Sequence, residues 1–193
     1  MRRLIESGAV RGDRFFQIGL RGYWPPPDVL DWMAAQNMRS FEMSEVVRRG
    51  LGSCLDEVFE RALDGCDAAF LSVDIDVVEP GMAPGTGTPE PGGLSGRELL
   101  DAVRRCATEL PLAGFDLVEL SPPYDHAEVT AFLANRVVLE VLSGMAWRRR
   151  QASGATVRHP DEPLLAGRSA CGGQEKNLAS LVMPSERSSS AKA

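Results

Sequence analysis

A chain of 193 residues, 44% hydrophobic and 25% charged, is long enough to bury the core of one domain. Its formal net charge of −6 argues against a nucleic-acid partner or a membrane-surface role, and favours a cationic small-molecule substrate only weakly. Cys54, Cys66, Cys106 and Cys171 lack metal-type spacing and read as reduced thiols of a cytoplasmic protein, MRRLIESGAV has no sustained apolar run, and no stretch approaches the ~18 apolar residues of a spanning helix.

In chain order, residues 14 to 20 predict a strand, and Pro27-Asp28 opens a helix through about Asn37 with Val29, Leu30, Met33 and Ala34 on its apolar face. A short strand near Arg39 to Met43 follows. A helix from about Ser53 to Leu63 then repeats Leu55, Val58, Phe59 and Ala62 at helical spacing, and 68–75 reads as a buried strand. Ser95 with Glu98 three residues on has capping-box spacing, opening a helix whose inner side is Leu99, Leu100 and Val103. A strand over 114–120 leads to Asp125, which with Glu128 offers a second box for a helix to about Ser143. Strands separated by helices imply parallel βαβ units in an α/β sheet, with functional side chains at the carboxyl ends of the strands, where Asp74, Asp76 and Glu119 fall. Residues 151–193 contain no aromatic residue and no sustained period, so they read as a disordered tail beyond a domain of residues 1–150. Arg148 to Arg150 read as a solvated helix end.

Asp74 and Asp76 stand two apart where the apolar run from Ala68 to Leu71 meets a Gly/Pro loop, and side chains at i and i+2 of a strand share a face. Neighbouring carboxylates push each other's pKa upward unless a cation lies between them or one is protonated. A divalent metal meets that condition; a solvated strand-end Asp beside one that opens a turn is the other reading. In the loop that follows, Pro84, Pro89 and Pro91 fix φ while Gly85, Gly87, Gly92 and Gly93 leave the backbone free, which builds a shaped rim.

The whole stretch SVDIDVVEPGMAPGTGTPEPGG, residues 72–93, resembles the signature of the ureohydrolase family, the arginases, agmatinases and related amidinohydrolases, with Glu79 where that pattern has Asp. Residues Arg14 to Gly22 resemble the family's strand before its substrate-side loop, Asp116 to Asp125 its last active-site strand, and Asn135 to Trp147 its closing helix. The resemblance implies the C-terminal part of an arginase-like three-layer α/β/α fold with a mainly parallel sheet. It also implies a binuclear Mn²⁺ centre held by two His and four Asp, whose bridging hydroxide attacks the carbon of a small guanidino substrate, and a homo-oligomer for the intact family member. Carried over by position, Asp74 would bridge both ions, Asp76 would complete the shell of one, and Glu119 would accept hydrogen bonds from the guanidinium. A surface ion pair is the structural reading of Glu119.

His126 reads as a solvated histidine at a helix start and nothing in the family pattern makes it a ligand, while His159 lies in the tail. Thr86 and Thr88 read as braces of the loop, with direct substrate contact as the other reading. The family's Gly-Gly-Asp-His and Asp-x-His-x-Asp segments, and its substrate-side His, do not occur in this sequence, so it resembles the C-terminal portion alone. One functional expectation is an agmatinase-like hydrolase of agmatine or guanidinobutyrate type that needs those segments from elsewhere. The other is a catalytically silent fragment or interaction subunit that retains the half-fold.

Overall fold

The computed structural model describes residues 1–23 and 25–155. The elements are α1 (Arg2–Glu6), β1 (Phe16–Leu20), α2 (Pro27–Ala35), β2 (Arg39–Glu42), α3 (Met43–Arg49), α4 (Leu51–Ala62), β3 (Ala69–Asp74), α5 (Gly96–Glu109), β4 (Leu112–Val118) and α6 (Val129–Ala152). Short 3-10 turns lie at Gly12–Arg14, Ile75–Val77 and Pro122–Tyr124. Both strand pairs are parallel: β1 with β2, where Ile18 faces Phe41, and β3 with β4, where Asp74 faces Val118. Parallel neighbours need a crossover, which α2 supplies for the first pair and α5 for the second, so the α/β class holds.

Local chemistry sets most of these boundaries. Pro27 starts α2, since its fixed φ and missing N–H suit a first turn. At α5 the capping box forms as the spacing predicts: the Glu98 N–H donates to Ser95 Oγ, and the Ser95 N–H donates to Glu98 Oε2 at 2.8 Å. The second expected box does not form. Because α6 begins at Val129, the Asp125 carboxylate instead accepts the N–H groups of Thr130 at 3.0 Å and Ala131 at 2.9 Å, while Glu128 makes no side-chain cap. Helix α6 also continues to Ala152, past Ser143 and into the expected tail; residues 156–193, with His159 and Cys171, lie outside the described residues. Helix α3, which the sequence pattern did not predict, follows β2 directly.

One core cluster packs Val73, Ile75 and Val78 against Leu99, Leu100, Val103 and Ala107 of α5 and Val137 and Val141 of α6. The two helices touch closely at Gly144, where a Cβ would lie 2.6 Å from that of Ala107. A second cluster joins Phe41, Met43, Val46, Cys54, Val58 and Leu94, and Val77 packs against both. Around it, Arg39 and Arg49 pair with Glu45 and Glu57, tying β2, α3 and α4 together. Hydrogen bonds from Arg39 first and Arg49 second hold the Glu45 carboxyl down to about 2.

Two expectations need correction. The strand at 68–75 is buried on one face only: Leu71 and Val73 pack inward, whereas Phe70 is 61% exposed and Ser72 is exposed. Parallel sheets bury both faces, and the described residues leave this one open. Helix α6 is also long and apolar enough to cross a membrane by length and composition, contrary to the reading that no stretch is. Its apolar content divides between a side that packs on α5 through Val137 and Val141 and a side where Phe132, Leu139 and Leu142 are exposed. Between them Glu140, its side chain 5% exposed, accepts hydrogen bonds from Arg104 and Arg136, both at 2.7 Å.

Candidate active site

The carboxyl ends of β3 and β4 bring three acids together. Asp74 is the last residue of β3, and Asp76 already belongs to the 3-10 turn Ile75–Val77. The proximity of the two carboxyls therefore does not come from strand alternation, as their spacing suggested. It comes from the turn, which Asp74 caps by accepting the Asp76 N–H on Oδ1 at 3.2 Å. The turn-opening role is thus real, and it coexists with a crowded pair of acids. Burial first, and then the charge of Asp76, push the Asp74 carboxyl up to about 6, with Glu119 pushing the same way. A carboxyl whose folded pKa is raised costs stability that grows as pH rises from the ordinary 3.8 toward about 6 and is fully present above it, and a cation between the acids offsets that cost.

Glu119 directly follows β4, whose last residue Val118 stands opposite Asp74 in the parallel register. Its φ of 63° is left-handed, an uncommon conformation for a non-glycine residue and one that costs about 1–3 kcal/mol. That kink ends the strand and leaves the glutamate exposed at the rim of the acidic cluster.

The Gly/Pro loop closes over Asp76. Thr88 Oγ1 donates to Asp76 Oδ2 at 2.9 Å, so this threonine braces the metal-ligand candidate itself as well as the loop. Thr86 is buried, and its hydroxyl has no partner among the described residues. Nearer the loop's start, the Gly85 N–H donates to Thr130 Oγ1 at 2.8 Å and the Gly85 carbonyl accepts the Ser121 N–H at 2.8 Å, stitching the loops after β3 and β4 together. Nearer its end, Glu79 Oε2 accepts the N–H groups of Gly92 at 2.7 Å and Gly93 at 3.1 Å, so the glutamate standing in place of the pattern's Asp is a loop latch.

His126 is exposed on the segment before α6, in keeping with a solvated histidine. A groove of about 550 Å³ lies elsewhere, at the amino ends of β3 and β4, lined by Ala68, Leu110, Leu112 and Met145 among others. It shares no residue with the acidic cluster.

Oxygen donors on carboxylates suit a hard divalent cation. Asp74 Oδ2 and Asp76 Oδ1 are not used by the Asp76 N–H and Thr88 hydroxyl bonds and could ligate one. The donor chemistry fits, but the donor count is short: among the described residues no group of three or more His, Cys, Asp or Glu converges closely enough to hold a metal.

The arginase family model matches residues 1–144, spanning the strands, the acids and the Gly/Pro loop. The chain belongs to the arginase family. Proclavaminate amidinohydrolase of Streptomyces clavuligerus is 45% identical over 140 residues, which cover 72% of this chain and 42% of that protein. Its solved structure matches with a TM-score of 0.69, 37% identity, and coverage of 76% of this chain and 47% of that one. Guanidinobutyrase of Pseudomonas aeruginosa is 38% identical over 73% of this chain and 43% of its own length. A formiminoglutamase of Trypanosoma cruzi, solved with Mn²⁺, shares the fold at a TM-score of 0.69 and 22% identity, over 76% of this chain and 50% of that one. The arginase-family chain thus spans less than half the length of the curated relatives it matches.

Within that family frame, sequence reasoning singled out Asp74, Asp76 and Glu119, and the structure brings all three to one end of the β3–β4 pair. Neither a part for Arg21 nor the Thr88–Asp76 bond was legible in the sequence. Arg21 lies inside a segment already recognised, Arg14 to Gly22, but its partners Asp76, Val78 and Glu90 are 55 to 69 residues away.

Proposed function

We propose that the chain carries the Asp74, Asp76 and Glu119 portion of the active site of a Mn²⁺-dependent hydrolase that releases urea from a small guanidino compound of the agmatine or guanidinobutyrate type. The observation that carries this reading is the crowding of Asp74 and Asp76 at the end of β3, with Glu119 at the end of the next strand. Asp74 and Asp76 would hold the metal. When bound, a pair of such ions lowers the pKa of bound water and stabilises the charge that develops as the carbon–nitrogen bond breaks. Glu119 offers its carboxylate to the planar guanidinium cation, a geometry suited to paired charge-assisted hydrogen bonds. Thr88 and the latched Gly/Pro loop hold Asp76 in one orientation.

A second reading, a catalytically silent half-fold that serves as an interaction subunit, draws on the shortage of ligands among the described residues. Two carboxylates do not hold two ions against water, because affinity grows with ligand count and preorganisation. The purified chain with added Mn²⁺ is therefore expected to release no urea from agmatine or 4-guanidinobutyrate and to bind less than two ions. Co-refolded with a family polypeptide carrying the Asp-x-His-x-Asp and Gly-Gly-Asp-His segments, it is expected to hold two Mn²⁺ and turn over. Turnover by a monodisperse preparation of the chain alone overturns the partial-shell reading. A co-eluting complex with two Mn²⁺ and no turnover favours the silent subunit.

In the active complex, Glu119→Gln is expected to raise KM for the guanidino substrate by about tenfold or more, the equivalent of ~1.4 kcal/mol, at near-normal metal content. Loss of both metal ions in that variant, measured by elemental analysis, would place Glu119 in the metal shell instead.

A further inference from the structure

Arg21 follows β1 and donates only to main-chain carbonyls in the hydrogen bonds described: Nη2 to Asp76 at 2.5 Å, to Glu90 at 2.7 Å and to Val78 at 3.4 Å, Nε to Glu90 at 2.9 Å, and Nη1 to Gly19 at 3.3 Å. The Thr88–Asp76 hydrogen bond lies between two of these anchors, the Asp76 and Glu90 carbonyls. The loop is latched near its start by Thr130 and Ser121 and near its end by Glu79. Its exposed crown, Gly87 to Glu90, is tied down by side chains at two points, Thr88 on Asp76 and Arg21 on Glu90. Gly19 lets β1 deliver Arg21 there: its φ is +100°, and a Cβ would lie 2.4 Å from Val77 Cγ2.

We infer that Arg21 is a positioning residue for the metal-ligand carboxylate of Asp76. Its Nη2 binds the main chain on both sides of the Thr88–Asp76 bond, with Nε doubling the hold on Glu90 and Nη1 bonding Gly19, and so fixes the direction in which that carboxylate points. Lysine presents its donors from a single point and cannot supply the Nε bond to Glu90 and the Nη1 bond to Gly19 together with those of Nη2, so charge alone does not suffice at this position. The inference rests on Asp76 being a ligand, which the proposed function assumes. The clamp itself is independent of metal.

The test uses the 193-residue chain in wild-type, Arg21→Ala, Arg21→Lys, Thr88→Val and Asp76→Asn forms. Hydrogen exchange is followed at the amides of Asp76 and of residues 85–93, with those of α5 as internal reference, and Mn²⁺ affinity is followed by loss of the free-ion electron paramagnetic resonance signal. Arg21→Ala is expected to speed exchange at residues 85–93 by about tenfold or more without change in α5, and Arg21→Lys to do so less. Outer partners of ligands typically control metal affinity by about 10- to 100-fold, and Arg21→Ala and Thr88→Val are expected to weaken Mn²⁺ binding within that range. Combining either with Asp76→Asn should add nothing, because all act through one carboxylate. Unchanged exchange at residues 85–93 in Arg21→Ala overturns the clamp. Faster exchange with wild-type Mn²⁺ affinity, where Asp76→Asn weakens it, overturns the positioning of Asp76. If Asp76→Asn also leaves Mn²⁺ affinity unchanged, the ligand reading of Asp76 fails and takes the positioning role with it, while the exchange result still decides the clamp. If Arg21→Ala does not fold, Arg21→Lys decides: it must speed exchange at residues 85–93 and weaken Mn²⁺ binding with α5 protection intact.

Discussion

Asp74→Asn, made in the complemented enzyme, is expected to abolish urea release and to lower Mn²⁺ content at once. The amide has the volume of the carboxyl and keeps an oxygen able to accept the Asp76 N–H, so the 3-10 turn survives. What disappears is one negative charge at the most crowded point of the acidic cluster, where burial and the charges of Asp76 and Glu119 already oppose ionisation. Under the proposed function Asp74 would bridge both ions, so loss of its charge would affect both and the effect exceeds that expected for Thr88→Val, which acts only through Asp76. Urea release is measured colorimetrically and metal by elemental analysis on the same preparation. Normal turnover with unchanged Mn²⁺ content removes Asp74 from the metal shell.

The largest effect on stability is expected at Glu140, far from the acids in sequence. Its carboxylate, 5% exposed as a side chain, lies between α5 and α6 and meets the guanidinium groups of Arg104 and Arg136. Arg136 is 57% exposed and contributes little, whereas the Arg104 pair is largely shielded from water. Removing one partner of such a pair costs about 3 kcal/mol, so Glu140→Ala is expected to lower the melting temperature by about 10 °C. Replacing Glu140 and Arg104 together by leucine and methionine is expected to cost far less, because no desolvated charge is then deprived of its partner.

The pH dependence has a definite sign. Burial would raise the Glu140 pKa, but the hydrogen bonds and charges of Arg104 and Arg136 outweigh it and hold the carboxyl below its ordinary value of 4.5. The contribution to stability is present above that value and is lost as pH falls through the lowered one, so the gap between wild type and variant should close in acid. A Glu140→Ala protein within 0.5 kcal/mol of wild type at pH 7, by denaturant titration, would show that the pair does not hold the helices together (the ordinary surface range being about ±0.5 kcal/mol).

Much of the fold was legible because its causes are local. The Ser95–Glu98 box, the apolar run of β3 and the proline that opens α2 all act within a few residues, and each produced the predicted element. Helix α3 was missed because it follows β2 without an intervening turn. The second capping box failed because Asp125 reaches Thr130 and Ala131 in place of the Glu128 it was paired with by spacing.

The order of residues by itself determined the family signature, the parallel α/β class, and the three acids at strand ends. Tertiary structure alone decided how Asp74 and Asp76 meet, through a capped 3-10 turn, and that Glu119 ends its strand in a left-handed kink beside them. It alone recruited Arg21 to Asp76 and Glu90 across 55 and 69 residues, and Glu140 to Arg104 across 36. The physical reason is range. Caps, turns and periodicity are set by neighbours along the chain, while carbonyls that share one guanidinium, and a carboxylate buried between two helices, become neighbours only when the sheet and its crossovers have closed.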